Sequence, residues 1–347
     1  MYNLLTIIFS YFLINRMLKF LKYNSFNKLI VEKLDFFFLL RPTSFFVIWL
    51  IISIGMYLPL YSNGSIELFI TDFSFKTFLF FMSLSLFSSI LSIDNQLAKT
   101  ENSFLIRSSF DEFYLNKIKK SLLILTVLLI LISCWPLFFI LTSIFLISSK
   151  IGTNINTNYL KLFIYHFFII FIFLYMGIYY QLFNSNIQFN TRMMIASVPY
   201  LFIFFTIYLF KESYGSSNDI SKTLVDNFPK KNIAIVGFIL SVFALVLSLY
   251  LEDPLASTAL SISVFFMLYV LLRGLKKDFI RSIRYIIGIF NFFILTIYPL
   301  LVFPIIIIFY ISKYYYWHRF SIHYPTFLVT TNTFCSVHEV VNEKNKK

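Results

Sequence analysis

Long apolar runs, separated by short polar stretches, follow one another from residue 44 to residue 312. Strands of a membrane barrel would alternate apolar and polar positions, and these runs do not. Most approach the roughly 20 residues that a helix needs to cross a bilayer core. Every backbone polar group in lipid has to be satisfied within the span, which makes helices the expected element. A window of about 19 residues predicts spans at 44–62, 75–93, 121–135, 136–149, 162–182, 193–210, 232–250, 255–272 and 285–312. The stretch "LLILTVLLILISCWPLFFILTSIFLISS" is divided at Trp135-Pro136, because proline suits a helix start and breaks a helix interior.

Residues 1–15, "MYNLLTIIFSYFLIN", are apolar but short. No basic residues precede them and no small-residue cleavage site follows, so the expectation is an interfacial or amphipathic entry helix, not a signal peptide. The organisation read from the pattern is an N-terminal segment 1–43, a transmembrane domain 44–312 and an aromatic, basic tail 313–347.

Composition agrees with lipid as the solvent: 59% of the 347 residues are hydrophobic and only 13% charged, with 47 Phe. The chain reads as an all-α polytopic membrane protein. The net charge of +13 falls unevenly. Six Lys or Arg precede residue 44, five lie in 94–120, four in 211–231 and five in 273–284, and with Lys150 and Lys161 they make 22 of the 29 on one predicted side. By the positive-inside rule that side, and the N-terminus with it, is cytoplasmic. The charge therefore reads as topology and contact with anionic lipid head groups, not as a nucleic-acid footprint.

Soluble chemistry finds no foothold in the sequence. Cys134 and Cys335 form no metal or disulfide spacing, and His166, His318, His323 and His338 are scattered. There is no phosphate loop of the G-x-x-x-x-G-K-[ST] type and no G-x-S-x-G elbow. What stands out is a pair of polar stretches, "SIDNQLAKTENSFLIRSS" at 92–109 and "LFKESYGSSNDISKTL" at 209–224, each just past a predicted span on the basic side. The two read either as half-sites facing one another across a bundle or as hydrophilic connectors.

Several strings, in order, resemble the UbiA superfamily of intramembrane prenyltransferases over roughly residues 39 to 327. "LLRPTSFFVIWLIISIG" is similar to the family's entry into its first span, with Arg41-Pro42 at the usual Arg-Pro. "SVPYLFIFFTIYLFKESYGSSNDISKTL" resembles a span followed by the family's second motif, D-x-x-G-D, with a downstream G-K-x-T-L. "LEDPLASTALSISVFF" and "YYYWHRFSIHYPTF" carry further likeness. The resemblance implies about nine transmembrane helices in a UbiA-like bundle around a central, lipid-open cavity. It also implies two Asp-rich cytoplasmic motifs whose Mg2+ ions bridge the diphosphate of a polyprenyl donor. Hard divalent cations held by carboxylates offset the charge that develops on the leaving diphosphate.

The chain departs from that pattern at its centre. In the first motif, N-x-x-x-D-x-x-x-D, Asn95 keeps the Asn position, Lys99 stands at the first Asp and Ser103 at the second. In the second motif Glu212 falls on the first Asp and Gly215 on the Gly, while Ser216 replaces the second Asp and Ile220 a Gly. The resemblance therefore implies Asn95, Lys99, Arg107, Gly215 and Lys222 as diphosphate-binding candidates. Glu212, Asp219 and Glu101 are the carboxylates left for a metal, and Mg2+ is expected in at most a single-ion arrangement. Lys99 is either a fixed cation for a phosphate or a contributor to topology only.

Three functions are open at this level: an integral membrane prenyltransferase acting on an unknown acceptor, a non-catalytic relative binding an isoprenoid or partner, and a transporter or flippase. Transporters carry ionisable residues and broken helices inside the membrane, and the predicted spans hold almost no charge. The expected partners are membrane lipid and a polyprenyl diphosphate or other isoprenoid, with no nucleic acid. The expected location is the bacterial inner membrane.

Overall fold

A computed structural model describes residues 34–64, 74–98, 112–137, 159–185, 187–215 and 230–320. Among the described residues there are helices and turns and no strand. Nine long helices are seen there: α1 Phe45–Ser62, α2 Phe75–Ala98, α3 Glu112–Cys134, α4 Tyr159–Ser185, α5 Thr191–Gly215, α6 Lys230–Tyr250, α7 Pro254–Arg273, α8 Lys276–Ile297 and α9 Val302–Phe320. Seven helices, all but α2 and α3, contain a segment long and apolar enough to cross a membrane. The chain is an integral membrane protein. In α2 the apolar part is the shorter stretch Phe75–Leu91. In α3, Lys117, Lys119 and Lys120 fall inside the last 18 residues and raise their charge.

Two boundaries expected from the sequence change. The predicted span 285–312 is two helices, α8 and α9, separated by a 3-10 turn at Pro299–Leu301. Pro299 lacks an amide hydrogen and its ring pushes the preceding residue out of the helical region, and Tyr298 accordingly stands at φ −116°, ψ 74°. The basic stretch 273–284 is likewise no loop. It caps α7 and then forms the first turns of α8, so Asp278, Arg281 and Arg284 sit within a helix that the sequence reading left free of charge. The division at Trp135-Pro136 coincides with the end of α3 at Cys134. The predicted span 136–149 lies almost wholly outside the described residues, as do the entry segment 1–15 and the tail beyond Phe320.

The chain separates into two compact units, Ser44–Val302 and Met1–Thr43 with Phe303–Lys347. In the larger unit α1 and α5 are central: 72% and 78% of their membrane-length segments are buried inside the protein, against 28% to 44% for those of α4, α6, α7 and α8. Burial of apolar surface gives little driving force between helices in lipid, so close backbone approach and interhelical hydrogen bonds carry the packing. The α1–α4 contact shows the first. A Cβ on Gly55 would lie 2.2 Å from the Leu174 carbonyl oxygen, and one on Gly177 would lie 2.3 Å from that of Ile52. Only glycine lets these two backbones cross.

Hydrogen bonds and ring contacts fix the remaining neighbours. Trp49 Nε1 of α1 donates to Ser85 Oγ of α2 at 2.7 Å, and Thr77 of α2 shares a 3.0 Å hydrogen bond with Tyr180 of α4, whose ring stacks on Phe80 at 4.2 Å. Tyr175 of α4 meets Ser197 of α5 at 3.3 Å, and Phe167 contacts Phe205. Helix α8 lies along α5 through Tyr200–Phe290 and Phe210–Phe279. With Phe87 of α2 against Phe173 of α4, these pairs run antiparallel for α2–α4, α4–α5 and α5–α8, which gives the unit two distinct ends. The C-terminal ends of α2, α5 and α7 and the N-terminal end of α8 share one of them.

The smaller unit packs residues 34–39, a short helix, against the second half of α9. Phe38 stacks on Tyr315 with ring centroids 3.8 Å apart, Leu34, Phe37, Ile311 and Tyr314 surround the pair, and Tyr315 Oη donates to Asp35 Oδ1 at 2.6 Å. Arg41, the residue of the Arg-Pro pair, takes a left-handed φ of 51° where this short helix ends.

Candidate functional site

The two polar stretches singled out in the sequence begin at one end of the larger unit. Asn95 lies in the last turn of α2, and Glu212 and Gly215 lie in the last turn of α5. The antiparallel packing above brings both helix ends to the same end of the bundle. The side chains of Asn95 and Glu212 lie outside the described residues, and so do Lys99, Glu101, Ser103, Arg107, Ser216, Asp219, Ile220 and Lys222. Among the described residues, no three His, Cys, Asp or Glu side chains come together as a metal group would need. The carboxylates left for Mg2+, Glu101, Glu212 and Asp219, all have their side chains outside that set.

An apolar cavity of about 270 Å³ opens on the larger unit. Its walls come mainly from one face of α4, where Phe168, Phe171, Tyr175, Tyr179 and Leu182 recur at helical spacing, with Leu137 and Phe189 closing it. Phe168 to Leu182 spans roughly 21 Å of helix rise, and the cavity starts about 14 Å from the beginning of α4. It is therefore a lengthwise slot that runs away from the Asn95 and Glu212 end. Aromatic and aliphatic walls of this shape accept an extended hydrocarbon chain and offer almost nothing to a polar ligand.

Two buried carboxylates, neither identified from the sequence, hold the ends of the bundle. Asp253 sits in the α6–α7 corner, fully buried. Its Oδ1 accepts from Tyr57 Oη at 3.0 Å and from the Leu255 and Ala256 amides at 3.1 and 3.2 Å, and its Oδ2 accepts from Tyr200 Oη at 2.7 Å. One side chain thus ties α1, α5 and the start of α7 together. Burial raises its carboxyl above the ordinary range, and the hydrogen bonds from Tyr200, Ala256, Tyr57 and Leu255 oppose that shift without cancelling it. Beside it, Tyr61 Oη donates to the Leu251 carbonyl, and the Arg192 guanidinium lies 5.7 Å from the Tyr61 ring centre. With four donors on its two oxygens, this carboxylate anchors helices.

Asp278, at the opposite end, is also fully buried, and its partners are cations. Arg273 Nε lies 3.4 Å from its Oδ2 and Arg281 Nη1 lies 3.7 Å from its Oδ1. Phe279, the next residue, packs on Phe210 near the end of α5, so this cluster shares the Glu212 end of the bundle. Both carboxylates left signals in the sequence. Asp253-Pro254 is a helix-start pair, with an acceptor at the cap and proline at the first helical position. Arg273-Gly274 is a helix-stop pair, and Gly274 takes φ 62° with its amide donating to the Val270 carbonyl at 2.7 Å.

The chain matches no family model, no curated protein and no solved structure.

Proposed function

We propose that the chain is an integral membrane prenyltransferase of the UbiA type, moving a polyprenyl group from its diphosphate to an acceptor. The single observation that carries the reading is the apolar cavity along α4, whose aromatic and aliphatic lining suits a hydrocarbon tail. It is supported by the common end of α2 and α5, where Asn95, Glu212 and Gly215 begin the two polar stretches. In this reading the diphosphate lies among Asn95, Lys99, Arg107, Gly215 and Lys222, on the cytoplasmic face of a bacterial inner membrane. Glu212, with Asp219 or Glu101, recruits Mg2+, which supplies the positive charge that a departing diphosphate requires.

The second reading, a non-catalytic isoprenoid-binding relative, draws on a specific observation too. Lys99, Ser103 and Ser216 stand where the resemblance expects aspartates. Magnesium is held by carboxylate oxygens, and three of the expected ones are gone.

Purified protein in detergent, incubated with magnesium and labelled polyprenyl diphosphates, separates the two. Binding together with diphosphate release is the expected result. Binding without release moves the assignment to the non-catalytic relative, and no binding removes both. A slot-filling pair, Phe171→Trp with Tyr175→Trp, should shorten the longest prenyl chain retained if the tail lies against α4.

A further inference from the structure

The α7–α8 corner brings Arg273, Asp278 and Arg281 together, and the prenyl reading leaves this cluster without a role. Between Arg273 and Arg284 the sequence holds five basic residues, Arg273, Lys276, Lys277, Arg281 and Arg284, and one acid, Asp278. The corner lies where two membrane-length segments, Pro254–Arg273 and Asp278–Ile297, meet across residues 274–277. Its depth follows from that position: at the boundary between hydrocarbon and water, the depth of lipid phosphates.

The side chains are built for more than orientation. Asp278 is fully buried and lies between the two guanidiniums, at 3.4 Å from Arg273 Nε and 3.7 Å from Arg281 Nη1. The two arginine side chains are themselves 44% and 39% exposed. Arg273 is held a second time by Tyr269, whose hydroxyl accepts from Nη1 and whose ring lies 5.1 Å below the guanidinium carbon. Each guanidinium has five N–H donors in a rigid fork, more than Asp278 and Tyr269 take up. A buried carboxylate that steadies two exposed arginines is a clamp whose remaining donors face out, and that geometry matches a phosphate oxygen pair.

We infer that the α7–α8 corner binds the phosphate of an anionic phospholipid through Arg273 and Arg281, with Asp278 as the positioning residue. The inference stands apart from the prenyl reading, because none of its residues belongs to the two polar stretches. A free phosphate presents the same chemistry. The lipid is favoured because the corner lies at head-group depth, beside the exposed, lipid-compatible faces of Leu272 and Tyr285.

Native mass spectrometry of the full chain with phosphatidylglycerol, with phosphatidylcholine and with inorganic phosphate tests it. Wild type should retain phosphatidylglycerol in preference to phosphatidylcholine, and Arg273→Gln with Arg281→Gln should weaken that binding about tenfold or more while leaving phosphatidylcholine unchanged. Asp278→Asn should produce a smaller loss, and Arg273→Lys with Arg281→Lys an intermediate one, since charge is kept and the fork is lost. Equal retention of the two lipids by wild type overturns the inference, as does displacement of phosphatidylglycerol by millimolar phosphate. Undiminished phosphatidylglycerol binding in the double glutamine variant does so too. Should that variant fail to fold, a head-group photoreactive phosphatidylglycerol on wild type decides: label within 269–284 supports the site, and label only elsewhere refutes it.

Discussion

Asp253 and Asp278 are both fully buried carboxylates at the corners of one helical bundle, yet the structure surrounds them with opposite kinds of partner. Asp253 is met by neutral donors, two tyrosine hydroxyls and two backbone amides, and each oxygen is in hydrogen-bond range of at least one. Asp278 is met by two half-exposed arginines at ion-pair distance. The difference teaches what each end is for. Neutral donors fixed within helices turn a carboxylate into a joint, whereas charged, exposed donors keep part of their field for something outside the protein. Placing the proposed lipid clamp at Asp278, and not at Asp253, follows from that contrast.

The contrast is most easily broken at Asp253. Asp253→Ala removes the acceptor for Tyr57, Tyr200 and the first amides of α7, and should cost about 3 kcal/mol of stability, read as a lowered unfolding temperature in detergent. A loss no larger than that of a surface substitution would mean that the joint carries no weight. Tyr200→Phe takes away only the 2.7 Å hydrogen bond to Oδ2 and should cost about 1 kcal/mol, within the range of interhelical hydrogen bonds in membrane proteins.

Asp278→Asn should cost less than about 1 kcal/mol, because its partners are exposed enough for water and salt to screen them. Its effect should shrink further between low and high salt, while that of Tyr200→Phe stays constant. Equal salt dependence at both ends would erase the distinction drawn here.

The smallest expected effect is a pH slope. Because burial raises the folded carboxyl of Asp253 above its ordinary value of 3.8, the folded chain holds that proton more tightly than the unfolded chain. Its contribution to stability is therefore fully present below the unfolded value and is lost as pH rises through the folded one. Asp253→Asn should flatten the profile of unfolding temperature across that window. A wild-type profile that rises with pH there, and loses the rise in Asp253→Asn, would reverse the sign of the argument.

Of the candidate site, only the helix ends that lead into it lie among the described residues. The polar stretches at 92–109 and 209–224 stood out against an apolar chain, and the structure puts the helix ends that lead into them, at Asn95 and Glu212, on one end of the bundle. The slot on α4 was not readable. Phe168, Phe171, Tyr175 and Leu182 belong to a run that is apolar on every side, and no periodicity distinguishes a residue facing lipid from one facing a cavity. The two carboxylates were passed over for another reason: single acids at span ends look like connectors until their distant partners are known.

By itself the sequence determined that the chain is helical and lives in a membrane, since runs of this length and apolarity leave no other way to satisfy the backbone. It also carried the local stops, Trp135-Pro136 and Pro299, although the second was read as part of one span because apolar residues continue on both sides of it. The tertiary structure alone decided that Gly55 and Gly177 meet, that Tyr57 and Tyr200 reach one carboxylate, and that Arg273 and Arg281 share another. Local chemistry sets where a helix starts and ends. Which helices become neighbours depends on contacts between residues as far apart as the 196 positions that separate Tyr57 from Asp253, and those contacts leave no local trace in composition or spacing.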